Sequence, residues 1–385
     1  MGVRALAALA GIVIIFVILW DAFETIILPR RVTRRFRFTR VFYHYTWLPL
    51  SKMLYAMTSE GRAETLLSFY GPISLLLLLI IWAGGLIAGF GLLQYAAGSA
   101  IKTVQEVAPL TSFWTYFYLS GTTFFTIGLG DVAPIGLVAR ALVVLEGGMG
   151  LGFLALIIGY LPAMNQSFSR REANITVLDA HAGSPPTAAE ILRRNIGEGE
   201  TTELLRFLSE WERWSAELLD SHLSYPFLAY FRSQHDNQSW LAALTAILDT
   251  SSVVMTYLSG PSKKQAELTF AMARHAVVDL SIIFDAPPCE PGEDRLPPVD
   301  LDRLKAFLSD FGFLPSSGAD EDQKLNDLRY MYEPYLYSLA EYLCLAMPPW
   351  IPRSGQRDNW QTNPWGAIAT SSEKSQSNQH RHRHF

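Results

Sequence analysis

The most specific chemistry in this sequence lies in six residues, Thr126-Ile127-Gly128-Leu129-Gly130-Asp131. None is a nucleophile or a strong base, and none has metal-ligand spacing. What the stretch offers is backbone oxygen. A dehydrated cation must be held by several oxygens at once, and carbonyls supply them when successive residues turn them toward one axis. That requires alternating backbone handedness, and glycine reaches positive φ without a steric penalty. Two glycines separated by one residue place that freedom at alternate positions, and Thr126 adds a hydroxyl oxygen at one end.

Such backbone must be held by its surroundings. Upstream, Thr111 to Phe125 reads TSFWTYFYLSGTTFF, uncharged and aromatic, too short to cross a bilayer and return. It fits a half-helix, and irregular backbone at membrane depth is tolerated only where it is buried in protein or lines water. The negative end of such a half-helix favours a cation beyond it. Long apolar segments stand on both sides. No charge occurs between Glu64 and Lys102, which predicts a membrane helix from about 69 to 97, and a further one is expected from about 137 to 164. An earlier candidate runs from about Arg4 to Leu28. It lacks the short core and small-residue cleavage site of a signal peptide.

Thr123-Phe124-Phe125-Thr126-Ile127-Gly128-Leu129-Gly130-Asp131 resembles the T-x-x-T-x-G-x-G-D signature of potassium channels. TIGLG is similar to the second pore loop of some two-pore-domain members, where T-V-G-Y-G is the commoner form. With one such loop, the chain looks like the bacterial relatives with a single helix–pore–helix unit. The resemblance implies a homotetramer, K⁺ as permeant ion, and a filter of Thr126, Ile127, Gly128, Leu129, Gly130 and Asp131. Thr122, Thr123 and Phe125 would support it from the pore helix. Leu129 stands where tyrosine is usual, so a hydroxyl tying the filter to the pore helix is missing. Phe125 replaces a common threonine, and Thr122 stands where some members carry glutamate.

The helix after the loop carries glycines at 147, 148, 150 and 152, each costing about 1 kcal/mol in a water-exposed helix interior. By the resemblance, Gly150 falls where inner pore helices hinge; close helix packing is the other reading. Leu151, Leu154, Ile158 and Pro162 share one face, which the analogy makes the cavity lining and an apolar gate. Pro162 is expected to kink the helix near its end. Glu146 is a lone acid at membrane depth, read either as a satisfied contact behind the filter or as a group that responds to pH. Asp21 and Glu24, one turn apart near the end of the first helix, read as an ion-pair site with neighbouring arginines. The first helix lacks the spaced arginines of a voltage sensor.

Charge divides the chain. Residues 1–171 carry 13 Lys+Arg against 7 Asp+Glu; the remainder carries 18 against 29. Arg30, Arg31, Arg34, Arg35, Arg37, Arg40, Lys52 and Arg62 all lie between the first two candidate helices, which predicts that this segment is cytoplasmic and the N-terminus outside. Segment 36–58 mixes aromatics with bases and suits an amphipathic helix on anionic lipid. The acidic remainder argues against nucleic-acid binding.

That remainder reads as helical. Thr187 to Glu190 is a capping-box pattern, predicting a helix start near Ala188. Further helices are expected near 199–222, 237–258, 262–284, 300–312 and 322–347. No Gly-rich dinucleotide fingerprint or strand–helix alternation is present. His181, His222, His235 and Asp236 lack compelling metal spacing, Cys289 and Cys344 are expected to be free thiols, and the tail with His380, His382 and His384 is expected to be disordered. The whole is therefore expected to be an all-α membrane protein: three transmembrane helices with a re-entrant pore loop, plus a helical cytoplasmic domain. The expected divisions are 1–29, 30–68, 69–164, 165–365 and 366–385. The expected location is a bacterial inner membrane. A non-selective cation channel, or an ion-coupled transporter or sensor, is the competing function. A membrane-anchored enzyme lacks its motifs.

Overall fold

The computed structural model describes residues 2–28, 37–98, 101–103, 113–197, 200–233, 237–290, 292–310 and 318–352. Arg30, Arg31, Arg34, Arg35, His235, Asp236, Thr111 and the histidine-bearing tail lie outside them. The chain divides into two compact units. One comprises Met1–Phe168 and Ser221–Phe231; the other comprises Ser169–Asp220 and Arg232–Phe385.

The first unit opens with α1 (Gly2–Ala22), which passes into a π-helical turn at Phe23–Ile27. Then come α2 (Phe38–Met57), α3 (Glu60–Ser68) and α4 (Tyr70–Ala96). α5 (Phe113–Phe124) is a short helix between α4 and α6 (Leu137–Ala182). Two three-residue strands, β1 (Ile101–Thr103) and β2 (Val132–Pro134), pair antiparallel and draw the ends of this loop together.

α1 and α4 cross where side chains vanish. A Cβ on Gly11 would lie 2.7 Å from the Gly89 carbonyl oxygen, and one on Gly85 would lie 2.0 Å from Ile18 Cδ1. Gly85 and Gly89 form a small-xxx-small pattern, the usual means of bringing membrane helices close. The expected ion pairing of Asp21 needs correction. Asp21 is buried and accepts hydrogen bonds from the Thr39 N–H (3.1 Å), the Thr39 hydroxyl (2.6 Å) and Trp82 Nε1 (3.0 Å). Glu24 does sit 3.7 Å from Arg37 Nε, and also accepts from Trp20 Nε1 at 2.7 Å.

Residues 221–231 fall in this unit, and their aromatics pack within it. Tyr230 stacks on Tyr43 at 4.8 Å and meets Trp47 at 5.1 Å, while Tyr225 lies 5.1 Å from Tyr160 of α6. A Cβ on Gly71 would strike the Phe231 ring at 2.7 Å.

In the second unit α7 (Ala188–Asn195), α8 (Thr202–Ser224, shared across the division), α9 (Trp240–Tyr257), α10 (Pro261–Ile283), α11 (Pro298–Ser309), α12 (Ala319–Tyr330) and α13 (Glu333–Leu343) follow the predicted spans. The helix expected at 322–347 splits in two, with Pro334 in the first turn of α13, a position that needs no amide hydrogen. α9 is long and apolar enough to cross a membrane, as are Gly2–Ile27, Gly61–Ala96 and Leu137–Ala182. It is nearly all buried within this unit, as a core helix is.

Only half of the capping box forms. The Thr187 hydroxyl accepts from the Glu190 N–H at 3.2 Å, but the Glu190 carboxylate turns away to Arg193 (2.6 Å) and Arg194 (2.7 Å). Burial would raise the Glu190 pKa; hydrogen bonds from the two arginines outweigh it and hold the group below its ordinary 4.5. Its contribution to stability is therefore intact at neutral pH and lost only as pH falls through that depressed value. Thr187→Ala removes the cap and is expected to cost about 1 kcal/mol. Thermal unfolding followed by tryptophan fluorescence checks this, the midpoint falling by roughly 2–4 °C.

Candidate functional site: the loop between α4 and α6

α5 forms from an uncharged aromatic run and ends at Phe124. Its C-terminus closes as a Schellman motif: the Thr126 N–H donates to the Thr123 carbonyl at 2.9 Å, and the Ile127 N–H to the Thr122 carbonyl at 2.8 Å. The left-handed residue this motif requires is Thr126, with φ 57°. Positive φ then recurs at Gly128 (55°) and Gly130 (76°), and not at Ile127 or Leu129. The backbone thus reverses hand at every residue from Thr126 to Gly130. Alternate glycines permit this at two of the three positions, and helix capping imposes it at the third. A left-handed β-branched residue is uncommon and carries strain.

The loop is exposed within one chain, Ile127 and Leu129 included. Its outer end is nevertheless tied. The Tyr118 hydroxyl, on α5, donates to Asp131 Oδ2 at 2.9 Å. The phenol of this contact comes from the helix, and the loop supplies the carboxylate. The tyrosine was visible in the sequence, but its pairing across thirteen residues was not. Nearby, Arg140 Nε donates to the Pro134 carbonyl at 3.3 Å.

Beneath the loop, Phe124 is fully buried between Phe125 (5.4 Å) and Phe153 (5.8 Å). The Thr122 hydroxyl turns back onto the Leu119 carbonyl at 3.0 Å. Thr123 faces Gly147, whose Cβ would lie 3.9 Å from its methyl. α5 lies close against α4: a Cβ on Gly91 would come within 3.3 Å of Phe117 Cα. Gly150 is the tightest point, since a Cβ there would lie 2.0 Å from the Phe124 carbonyl oxygen.

On α6, Phe153, Tyr160 and Met164 are buried, whereas Leu151, Ile158 and Pro162 are exposed and Leu154 half-buried. The four predicted lining residues thus share an uncovered apolar face within one chain. The helix does not end near 164 but continues unbroken through Pro162 to Ala182. Glu146 is fully buried and contacts Ser120.

Among the described residues no group of His, Cys, Asp and Glu could hold a metal ion. His181 Nδ1 pairs with Asn195 Oδ1 at 2.9 Å, and buried His222 lies against Ser221.

Long apolar helices, three of them in this unit, bracket a short helix and a loop of alternating backbone hand, and mark a membrane protein. Residues 69–166 match the family model Ion_trans_2, described as an ion channel. The chain is also 25% identical over 255 residues to the uncharacterized membrane protein YdjJ of Bacillus subtilis, covering 64% of this chain and 71% of that one. No solved structure matches.

Proposed function

We propose that this chain is one subunit of a homotetrameric potassium channel, with Thr126 to Asp131 as its selectivity filter. The alternation of backbone hand at Thr126, Gly128 and Gly130 carries this reading. Alternation turns consecutive carbonyls to one side, and four such chains around an axis would ring a dehydrated K⁺ with oxygens. α5 then serves as the re-entrant pore helix, its negative end directed at the water-filled cavity. Leu151, Leu154, Ile158 and Pro162 line that cavity, their apolar face meeting water and the neighbouring subunits. α1, α4 and the apolar part of α6 are the three transmembrane spans. The arginine-rich 29–68 segment faces the cytoplasm of a bacterial inner membrane, as do the acidic helices after α6, and anionic lipid lies against the basic linker. No catalytic role is proposed.

Purified protein in liposomes tests this. K⁺ efflux is expected to exceed Na⁺ efflux by roughly a hundredfold or more, a discrimination of about 3 kcal/mol at 1.4 kcal/mol per decade. Barium is expected to block it. Gly128→Asp is expected to abolish flux, because the substitution puts a side chain and a charge on a left-handed backbone position. Equal Na⁺ and K⁺ flux would leave a non-selective channel. Flux that survives Gly128→Asp would remove the loop from the pathway. The mass of the detergent-solubilised assembly tests the tetramer.

A further inference from the structure

Among the described residues Glu146 has no counter-ion, and its contact with Ser120 would have a hydrogen too few if it were ionised. It lies on α6, fully enclosed by its own chain, and reaches Ser120 of α5, also fully buried. Ser120 Oγ stands 2.7 Å from the carbonyl oxygen of Ile87 on α4 and in hydrogen-bonding contact with Glu146 Oε1. A serine hydroxyl carries a single hydrogen. The Ile87 carbonyl can only accept, and an ionised Glu146 could only accept as well. With the serine hydrogen directed to Ile87, the other contact needs its hydrogen from the glutamate.

The surroundings agree. α4 and α5, the helices on either side of this contact, contain no Asp, Glu, Lys, Arg or His; their titratable groups are Tyr70, Tyr95, Tyr116 and Tyr118. On α6 the nearest charged residue is Arg140, six positions away, which donates to the Pro134 carbonyl. Glu146 Oε2 is buried without a hydrogen-bond partner among the described residues. A carboxylate there would be a buried charge lacking both a cation and a second donor, an arrangement proteins avoid.

We infer that Glu146 is held as a neutral carboxylic acid, and that it positions the pore helix. It donates to Ser120 Oγ, and Ser120 donates to the Ile87 carbonyl, so the relay runs from α6 through α5 to α4. The placement gives the relay its purpose. Ser120 and Phe124 are one turn apart on α5; Glu146 and Gly150 are one turn apart on α6. The hydrogen-bonded pair and the backbone contact of Gly150 with Phe124 thus form two successive rungs between the helices. Together they fix the height of α5, and with it the Schellman turn from which the loop departs. The positioning role rests on the channel reading; the protonation state does not.

Infrared difference spectroscopy of wild type against Glu146→Gln, at neutral pH in lipid, reads the protonation state directly. The expected result is a carboxylic-acid C=O stretch present in the wild type and lost in the variant. A carboxylate band in its place would overturn the proposal. The positioning role is read by K⁺ flux and by melting temperature. Glu146→Gln, whose amide can donate to Ser120, is expected to retain flux, whereas Glu146→Ala and Ser120→Ala lose roughly tenfold or more by leaving a buried partner unpaired. Loss in Glu146→Gln equal to that in Glu146→Ala would show that the charge, not the hydrogen bond, matters. If the wild type conducts nothing, the channel reading fails while the infrared result and the melting temperatures still decide the relay.

Discussion

Gly150→Ala is expected to unfold roughly 5 °C or more below the wild type, on overpacking costs of about 1–3 kcal/mol or more. The added methyl would stand 2.0 Å from the Phe124 carbonyl oxygen and 2.8 Å from its carbonyl carbon. Those are backbone atoms, so no rotamer change relieves the clash; α5 or α6 must move. Gly147→Ala is the matched control. Its Cβ meets only the Thr123 methyl at 3.9 Å, an ordinary contact, and its melting is expected to stay within about 2 °C of wild type. The pair separates two uses of a glycine in this helix. A glycine kept only for bending would leave the melting temperature unchanged on substitution and alter opening alone. A glycine kept for close approach would lower it, and the loop that follows α5 would lose its support as well. Thermal unfolding of the detergent-solubilised protein, run beside the flux assay, reads both effects.

The largest stability effect is expected in the second unit, at Asp249. This residue is fully buried on α9 and accepts from Arg295 Nη2 at 2.6 Å and from the Tyr332 hydroxyl at 2.7 Å. Arg295 also reaches Glu333 at 3.0 Å and the Pro348 carbonyl at 2.9 Å, and both Arg295 and Arg329 lie 5.6 Å from the Trp350 ring. Burial would favour loss of the Arg295 proton; the carboxylates of Asp249 and Glu333 outweigh it, so the guanidinium stays charged. Asp249→Ala therefore leaves a buried cation without its main partner. The expected cost is about 3–5 kcal/mol, a large share of the about 5–15 kcal/mol that holds a domain together. Limited proteolysis is expected to cut this unit readily in the variant and slowly in the wild type. Replacing both partners, as Asp249→Leu with Arg295→Met, is expected to recover much of the loss, because no buried charge then remains unpaired. A double variant as unstable as the single one would mean that Tyr332 and Glu333 depend on the pair.

Much of the site was legible residue by residue. The alternate glycines dictate where the backbone can turn left-handed, and the uncharged run before them forms a short helix by its own composition. The long apolar segments required helices because nothing else satisfies their backbone in lipid. The start of α7 was legible through Thr187, since capping is a matter of three neighbouring residues. The same locality explains the misses. That Glu190 would choose two arginines over the Thr187 amide is a competition the capping pattern does not contain. The glycines at 11, 85 and 89 could have been found as a small-residue pattern, but only the crossing of α1 and α4 reveals what they admit.

The sequence by itself determined that most of the chain is helical, though not where α6 ends or that 322–347 splits; it also determined which stretch can offer consecutive carbonyls, and that the glycines must carry the reversals at 128 and 130. These follow from properties each residue brings with it: conformational freedom, hydrogen-bonding inventory and apolar surface. Only the tertiary structure decided the rest. Capping of α5 sets the reversal at Thr126, Tyr118 ties Asp131, the aromatics of 221–231 bring that segment into the first unit, and Ser120 meets Glu146. Apart from the capping turn, which joins residues three to five positions apart, each depends on residues separated in the chain occupying the same few ångströms. That distance is set by how helices pack, which no local pattern encodes.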